Sequence, residues 1–300
     1  CIRDSNTAKR TLEKLLSVCI CLCMLGAMLP AQVFAEEADT AQTETVQDTA
    51  QKDTVYLSSA DDLIQLAKNC RLDSWSQNRT VVLEADIDLS SVDFNGIPSF
   101  GGTWEGQNHA ITGLSLSQDG SVQGLFRYVQ QGALVRDMTV KGRIKPGGTR
   151  ASVGGIAGSN AGTIENCAFD GVVSGTSQIG GIAGVNTVKG SINGCTVSGT
   201  VYGSHFVGGV VGQNDGVAAN CTNAASVNTT VSQNEVKLND LTLDDLLKTE
   251  KANDVTDAGG IAGNNAGVLR ACINRGTIGY SHIGYNAVSY THLRAHETDS

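Results

Sequence analysis

Apolar residues along this chain keep a fixed relation to a glycine-rich motif that recurs through its second half. Four segments of ten residues align without gaps: VGGIAGSNAG from Val153, IGGIAGVNTV from Ile179, VGGVVGQNDG from Val207 and AGGIAGNNAG from Ala258. Each is followed by a cysteine, with an apolar residue three positions before it and a β-branched residue six positions after it. Self-similarity of this length is typical of stacked structural units that bury their faces against one another.

These repeats define columns of equivalent residues. The cysteine column contains Cys167, Cys195, Cys221 and Cys272. Two degenerate units precede it, with Met138 and Leu114 in the place of the cysteine. The apolar residues three positions before those two are Val135 and Ile111. Because β-branched residues fill the apolar columns and glycine recurs where it would break a helix, strands are favoured. The sequence therefore predicts an all-β fold, a right-handed parallel β-helix or β-solenoid of stacked glycine-rich coils.

Three further columns are expected to serve the structure of the repeat. The first glycine of each motif, which permits turns and close backbone approach, is Gly154, Gly180, Gly208 or Gly259. An asparagine aligns at Asn160, Asn186, Asn214 and Asn265. Stacked amide ladders are favoured for these side chains over a ligand-binding row. The cysteines would stack at ~4.8 Å, farther than the ~3.8 Å between Cβ atoms of a disulfide, so we expect small buried hydrophobes.

The first part of the folded region, residues 55–150, is predicted to hold a cap and degenerate coils. A short strand signal at residues 55–57 is followed by Ser59, a plausible N-cap with Asp61 and Asp62 in the first turn. The helix it begins should end near Asn69 and close the open end of the first coil. Residues 80–89 alternate apolar and polar positions, which predicts one strand with one buried face.

The repeat region, residues 151–286, contains one insertion at residues 232–257. Leucines occur there among acids and lysines, at Leu241, Leu243, Leu246 and Leu247. This pattern predicts a short amphipathic helix. Loops on solenoids often carry recognition, so these leucines are the candidate partner contact, and a helix that covers the side of the solenoid is the equal alternative.

Residues 6–54 have the pattern of a targeting segment followed by a spacer. Residues 6–35 have a basic start at Lys9, Arg10 and Lys14, an apolar run and a small-residue pattern ending at Ala35, as signal peptides do. Residues 36–54 lack apolar periodicity and predict a disordered acidic, Thr- and Gln-rich linker. Residues 1–5 and 287–300 resemble translated sequencing adapter and are set aside as scars.

Charge and motif content argue against catalysis and nucleic-acid binding. The formal net charge is −9, whereas phosphate contacts are made mainly by Lys and Arg. The chain has no His-Glu-x-x-His zinc-peptidase motif. The acids that a polysaccharide-cleaving β-helix would use are Glu84, Asp86, Asp88 and Glu105, and alternating acids usually form the solvated side of a strand. We therefore predict no catalytic, cofactor-binding or metal-binding residues, and membrane contact only through the signal peptide during export.

The four motif segments resemble GLUG motifs, the short glycine-rich repeats of secreted bacterial proteins, including those found alongside immunoglobulin A metalloendopeptidases. The segment GGTWEGQNHAITGL from Gly101, with GLF from Gly124, resembles the lead into such arrays. The resemblance implies a secreted, cell-envelope-associated module with an adhesin-like binding or stalk role, whose partner would be a host or cell-wall glycan or protein. The alternative is a non-catalytic region of a larger secreted peptidase or carbohydrate-active enzyme.

Overall fold

A computed structural model describes residues 53–147, 152–229 and 257–279. In these ranges the chain forms an all-β parallel solenoid of about 6 turns with one helix, which confirms the predicted fold class. The coil that begins at the first GGIAG motif shows how a repeat is built. It contributes Val153–Gly154 to face 1, Ala157–Asn160 to face 2, Thr163–Glu165 to face 3 and Ala168–Ser174 to face 4.

Each face is a parallel sheet with one strand per coil, except that one coil contributes both Thr222–Asn223 and Ser226–Val227 to face 4. Face 1 contains Val153–Gly154, Ser177–Gly180, His205–Gly208 and Ala258–Gly259. Face 2 contains Ile97–Phe100, Phe126–Val129, Ala157–Asn160, Ala183–Asn186, Val211–Asn214 and Ala262–Asn265. Face 3 contains Thr54–Leu57, Thr80–Leu83, Thr103–Glu105, Leu134–Arg136, Thr163–Glu165, Ser191–Asn193, Val217–Ala219 and Val268–Arg270. Face 4 contains Ile87–Asp88, Ala110–Leu116, Thr139–Ile144, Ala168–Ser174, Thr196–Tyr202, Thr222–Asn223, Ser226–Val227 and Ile273–Asn274.

Strand pairing follows the columns of the four motif repeats. Gly154 lies opposite Gly180, and Ile164 lies opposite Ile192. The β-branched column six residues after the cysteine also runs straight, since Val201 pairs with both Val173 and Val227. The residues of these columns lie in the solenoid interior, where a coil covers its neighbour's apolar surface.

The predicted alignment of the first degenerate unit is wrong. Val135 pairs with Ile164 as predicted, but its partner in the coil before is Trp104 rather than Ile111. Ile111 pairs instead with Val140 on face 4, and Leu114 lies opposite Gly142. Paired residues of these two coils are 31 positions apart at Trp104 and Val135 and 29 apart at Ile111 and Val140, whereas the predicted alignment used a spacing of 24 and so placed Ile111 on the wrong face.

The prediction of one strand over residues 80–89 is also wrong. The structure has two strands, Thr80–Leu83 on face 3 and Ile87–Asp88 on face 4. The chain turns between them, and the backbone N–H of Glu84 donates to the Leu57 carbonyl of the preceding strand. The alternation of apolar and polar residues therefore continues across the corner, because the strands on both sides of it bury apolar side chains.

The capping helix is confirmed. Helix α1, Ala60–Asn69, begins at Ser59, whose hydroxyl accepts from the Asp62 N–H while Asp62 accepts from the Ser59 N–H. This capping box satisfies two donors that the first helical turn leaves unpaired. The helix packs against Thr54–Leu57 and Ile97–Phe100 and buries Leu63 and Leu66. One end of the solenoid is thereby covered.

The glycines of the motif are required by close backbone contact between face 1 and face 2. A Cβ at Gly180 would overlap the Ala183 carbonyl oxygen and lie 2.7 Å from the backbone nitrogen of Gly212 in the next coil. A Cβ at Gly184 would lie 2.5 Å from the backbone nitrogen of Val153 in the previous coil. Neither glycine has a left-handed φ, so space and not conformation excludes a side chain.

Replacement of Gly180 by alanine should therefore lower the free energy of unfolding by about 2–3 kcal/mol, because the obstructing atoms are backbone and cannot rotate away. The matched control is Gly147→Ala, where the nearest atom is an Asp119 carboxylate oxygen at 3.0 Å. That change should stay within about 0.5 kcal/mol of the parent. Guanidinium unfolding of both variants measures the difference, and equal stability of the two would refute the steric argument.

Candidate functional site

The asparagine column forms a continuous ladder inside the solenoid. The Nδ2 of Asn160 donates to the Oδ1 of Asn186 at 2.8 Å, and Asn186 donates to Asn214 at 2.8 Å. Asn214 donates to Asn265 at 2.7 Å. Every bond runs in the same direction, from the amide nitrogen of one coil to the amide oxygen of the next.

The same amides also fasten the corner between face 2 and face 3. The Oδ1 of Asn160 accepts from the Gly162 N–H, and its Nδ2 donates to the Gly162 carbonyl, both at 3.2 Å. Asn160, Asn186 and Asn214 have no solvent-exposed surface. A ligand cannot reach them without opening the coil, so their geometry serves the fold.

A second amide ladder lies on face 4 and was not foreseen from the sequence. Asn223 occupies the interior position that Val197 fills in the coil before. Its Nδ2 donates to the Oδ1 of Asn274 at 2.8 Å, and its Oδ1 accepts from the Ala225 N–H at 3.0 Å. The available signal was an asparagine two residues after the cysteine in the last two repeats.

The cysteine column lies at the corner between face 3 and face 4. Cys167, Cys195 and Cys221 are buried, whereas Cys272 is partly exposed, and all are free thiols. Each thiol lies beside a carbonyl of its own coil, as Cys221 Sγ does at 3.1 Å from the Ala219 oxygen. These contacts let the thiol act as a small apolar side chain with one weak hydrogen-bond donor.

The surroundings of Cys70, Cys167 and Cys221 keep these three thiols protonated. Burial raises the pKa of Cys167 to about 12 and that of Cys70 to about 11. Contact with the Cys195 thiol, followed by burial, raises the pKa of Cys221 to about 12. Because the thiolate is the nucleophile and the metal ligand, raised pKa values disfavour both roles.

The acids considered for polysaccharide cleavage hold local structure. Asp86 accepts from the Ala110 N–H at 2.8 Å and contacts His109 Nδ1 at 3.1 Å, and these bonds lower its pKa. The N–H and hydroxyl of Ser90 lower the pKa of Asp88 in the same way. Glu84 is solvent-exposed. A general acid needs a raised pKa, so Asp86 and Asp88 are unsuited to that step.

The fourth acid, Glu105, belongs to a polar strip on the outer surface of face 3. Arg136 donates two hydrogen bonds to Glu105, from Nε to Oε2 at 2.6 Å and from Nη2 to Oε1 at 2.9 Å. The Glu105 carboxylate in turn raises the pKa of Arg136. One coil later Asn193 donates to Glu165 at 3.1 Å. We call Glu105, Arg136, Glu165 and Asn193 the outer strip, and their register puts one such side chain on each coil.

The outer strip is bordered by a corner column in the left-handed backbone region. Asp137, Asn166 and Asn220 have φ values of 57°, 50° and 55°. Asparagine and aspartate tolerate this conformation better than other residues with a side chain. Asn166 donates to Asp137 at 3.2 Å, and Asn220 donates to Asn193 of the outer strip at 2.8 Å. These exposed amides and carboxylates form the polar surface that a partner could contact.

The proposed contact leucines, Leu241, Leu243, Leu246 and Leu247, lie outside the described residues, as do the leader, most of the linker and the scars. In the ranges that the structure covers, no group of three or more His, Cys, Asp or Glu side chains could hold a metal ion. Across those ranges, no helix has the length and apolarity to cross a membrane.

Sequence similarity to a known protein covers part of the chain. No protein-family profile matches the chain, and no solved structure matches it. Similarity is found to halomucin of Haloquadratum walsbyi (strain DSM 16790 / HBSQ001), which is 29% identical over 128 residues. The match covers 37% of this chain and 1% of halomucin, so the chain spans a very small part of that protein. Membership of the GLUG family stays a prediction.

The ladder can be tested with an isosteric change. Asn186→Asp should lower the free energy of unfolding by about 3–5 kcal/mol at pH 7, because a buried carboxylate cannot donate to Asn214. Burial raises the folded-state pKa of the new carboxyl above about 3.9, so the folded protein binds the extra proton and the deficit shrinks as pH falls towards 4.

The matched control is Asn264→Asp, since Asn264 lies on the last face 2 strand but is partly exposed and pairs with Gln213 outside the ladder. Its stability should change by less than about 0.5 kcal/mol. Denaturant unfolding across pH 4–8 distinguishes the two. A similar loss in both variants, or no pH dependence for Asn186→Asp, would show that the ladder contributes little.

Proposed function

We propose that this chain is a secreted, cell-surface-associated repeat module with a non-catalytic, adhesin-like binding or structural stalk role. The observation that carries the proposal is that recurring polar residues of the repeat point into the solenoid and not towards solvent. The asparagines and cysteines of the first three motif repeats are buried, and those asparagines bond from coil to coil, so the repeated chemistry serves the scaffold. The similarity to halomucin is compatible with such a structural module.

The stalk role is supported by the strand pairing between neighbouring coils. The coils that contain Ser177–Gly180 and His205–Gly208 pair with both neighbours on all four faces, and every added coil extends the solenoid by ~4.8 Å. Stability then grows with each nearest-neighbour interface, so the length of the array can change while the fold stays the same. A spacer needs this property, whereas a catalytic centre does not.

The binding role is assigned to exposed polar surface and to the insertion. The outer strip and its corner column offer carboxylates, amides and a guanidinium at a constant spacing, which suits hydrogen bonding to a glycan or a polar protein surface. Residues 232–257, with Leu241, Leu243, Leu246 and Leu247, are the second proposed contact because insertions in solenoid repeats often carry recognition.

Export is testable with the full chain expressed behind its own leader in a bacterial host. The expected result is protein in the medium or on the cell surface whose first residue is Glu36, read by N-terminal sequencing. A variant with Lys9, Arg10 and Lys14 changed to glutamate is the control, because a signal peptide needs its basic start. Unprocessed protein retained in the cytoplasm for both chains would contradict the proposal.

Binding is testable on arrays of host and cell-wall glycans and matrix proteins. We expect the full chain to bind and two variants to lose at least about tenfold in affinity, equivalent to about 1.4 kcal/mol. One replaces residues 232–257 by a Gly-Ser linker, and the other is Arg136→Gln with Glu105→Gln. Leu72→Ser is the control, because Leu72 is exposed in the turn after helix α1 and lies outside both surfaces. Unchanged binding by both variants would remove these contacts, and turnover of an arrayed glycan would refute a non-catalytic role.

A further inference from the structure

The sequence contains two Asn-Gly dipeptides, Asn95-Gly96 and Asn193-Gly194. This dipeptide can modify itself, because glycine leaves its backbone nitrogen accessible to the preceding side chain. The nitrogen attacks the asparagine Cγ, a C–N bond forms, and ammonia leaves to give a succinimide ring. Water then opens either carbonyl of the ring and yields aspartate or isoaspartate. Solvent supplies the water and the base, so no other reactant is needed.

The structure leaves the reacting groups of Asn95-Gly96 without hydrogen bonds. Asn95 is solvent-exposed and lies just before the Ile97–Phe100 strand. In the part of the chain that the structure describes, neither the Asn95 side chain nor the Gly96 N–H makes a hydrogen bond. Gly96 has φ of 79°, a conformation that does not belong to a strand ladder. Both reacting groups are therefore unrestrained by bonds that the attack would have to break.

Asn193-Gly194 is the same dipeptide held in place. The Asn193 Nδ2 donates to Glu165 at 3.1 Å, and its Oδ1 accepts from Asn220 at 2.8 Å. The nucleophile is also engaged, since the Gly194 N–H donates to the Ala219 carbonyl at 3.0 Å. Attack at this site would break three hydrogen bonds, which slows the reaction.

We propose that Asn95 is a site of spontaneous deamidation and isoaspartate formation in the folded protein, while Asn193 is protected by these three hydrogen bonds. The proposal holds whether the module binds a partner or spaces one, because it rests on local geometry alone. Asparagine is among the thermolabile residues. A protein kept outside the cell would accumulate this change with time.

The position of Asn95 gives the modification a structural effect. Its neighbours Phe94 and Ile97 are buried, and the Ile97 N–H donates to the Leu125 carbonyl at 2.7 Å. Isoaspartate adds one methylene to the backbone between these two anchors. The strand that follows, Ile97–Phe100, is one of those on which helix α1 packs. The covered end of the solenoid is therefore where ageing would loosen the fold.

The test is peptide mapping by mass spectrometry after incubation of the native full chain at pH 8.5 and 37 °C. Replacement of NH₂ by OH marks deamidation, and isoaspartate is separated from aspartate by chromatography. We expect Asn95 to react at least about tenfold faster than Asn193, because attack at Asn193 must first break its hydrogen bonds. A tenfold difference in rate corresponds to about 1.4 kcal/mol in the barrier. In guanidinium chloride the two sites should react at similar rates, which assigns the difference to the fold.

Two controls complete the experiment. In Asn95→Gln the longer side chain disfavours the five-membered ring, so the peptide should stay unmodified while Asn193 behaves as in the parent. Aged parent protein should lose amide-exchange protection in Ile97–Phe100 and Ala60–Asn69 first, and aged Asn95→Gln should not. The proposal is overturned if native Asn95 reacts no faster than Asn193, or if Asn95 stays intact when Asn193 has converted.

Discussion

Direct contact between two stretches of backbone is the constraint on which this solenoid depends. Where face 1 meets face 2, Gly180 packs on the Ala183 carbonyl, and Gly184 packs on Val153 of the coil before. Side chains on both faces would separate these strands and enlarge the cross-section of the coil. The GGxxG spacing therefore fixes the coil diameter, and the diameter decides which interior side chains fit. Gly155 shows this coupling, because a Cβ there would overlap the Phe169 ring.

The interior changes character along the axis. On face 2 the column reads Phe100, Val129, Asn160, Asn186, Asn214 and Asn265. On face 4 it reads Ile111, Val140, Phe169, Val197, Asn223 and Asn274. The early coils fill the interior with large apolar groups, including the Phe100, Trp104 and Phe126 rings at centroid distances of 5.2–6.0 Å. The later coils replace shape complementarity with hydrogen bonds that only an in-register stack can satisfy.

The sequence predicted most of what repeats and little of what does not. Equivalent columns were recognisable because identical neighbours impose identical requirements on each coil. The cap does not repeat, and it was recognisable because Ser59 is followed by Asp61 and Asp62 in the first helical turn. The unit at Ile111 and Leu114 was misaligned because the coil before Val135 is longer than the predicted spacing of 24 residues, so that Trp104 and not Ile111 lies opposite Val135. The outer strip was missed since Arg136 and Glu105 are 31 residues apart and meet only through the register of face 3. Which residues meet between neighbouring coils depends on the number of residues in each coil, and that number varies along the chain.

The shared direction of the amide ladder gives the solenoid an electrical sense. Each asparagine from Asn160 to Asn214 points its Nδ2 towards the next coil and donates a hydrogen bond to the amide oxygen of the asparagine there. The side-chain dipoles therefore add head to tail, as peptide dipoles do along a helix. The end at Asn265 carries the positive pole of this stack, and the end at Asn160 carries the negative one. The two ends of an array of such coils are electrostatically different even where their residues are the same.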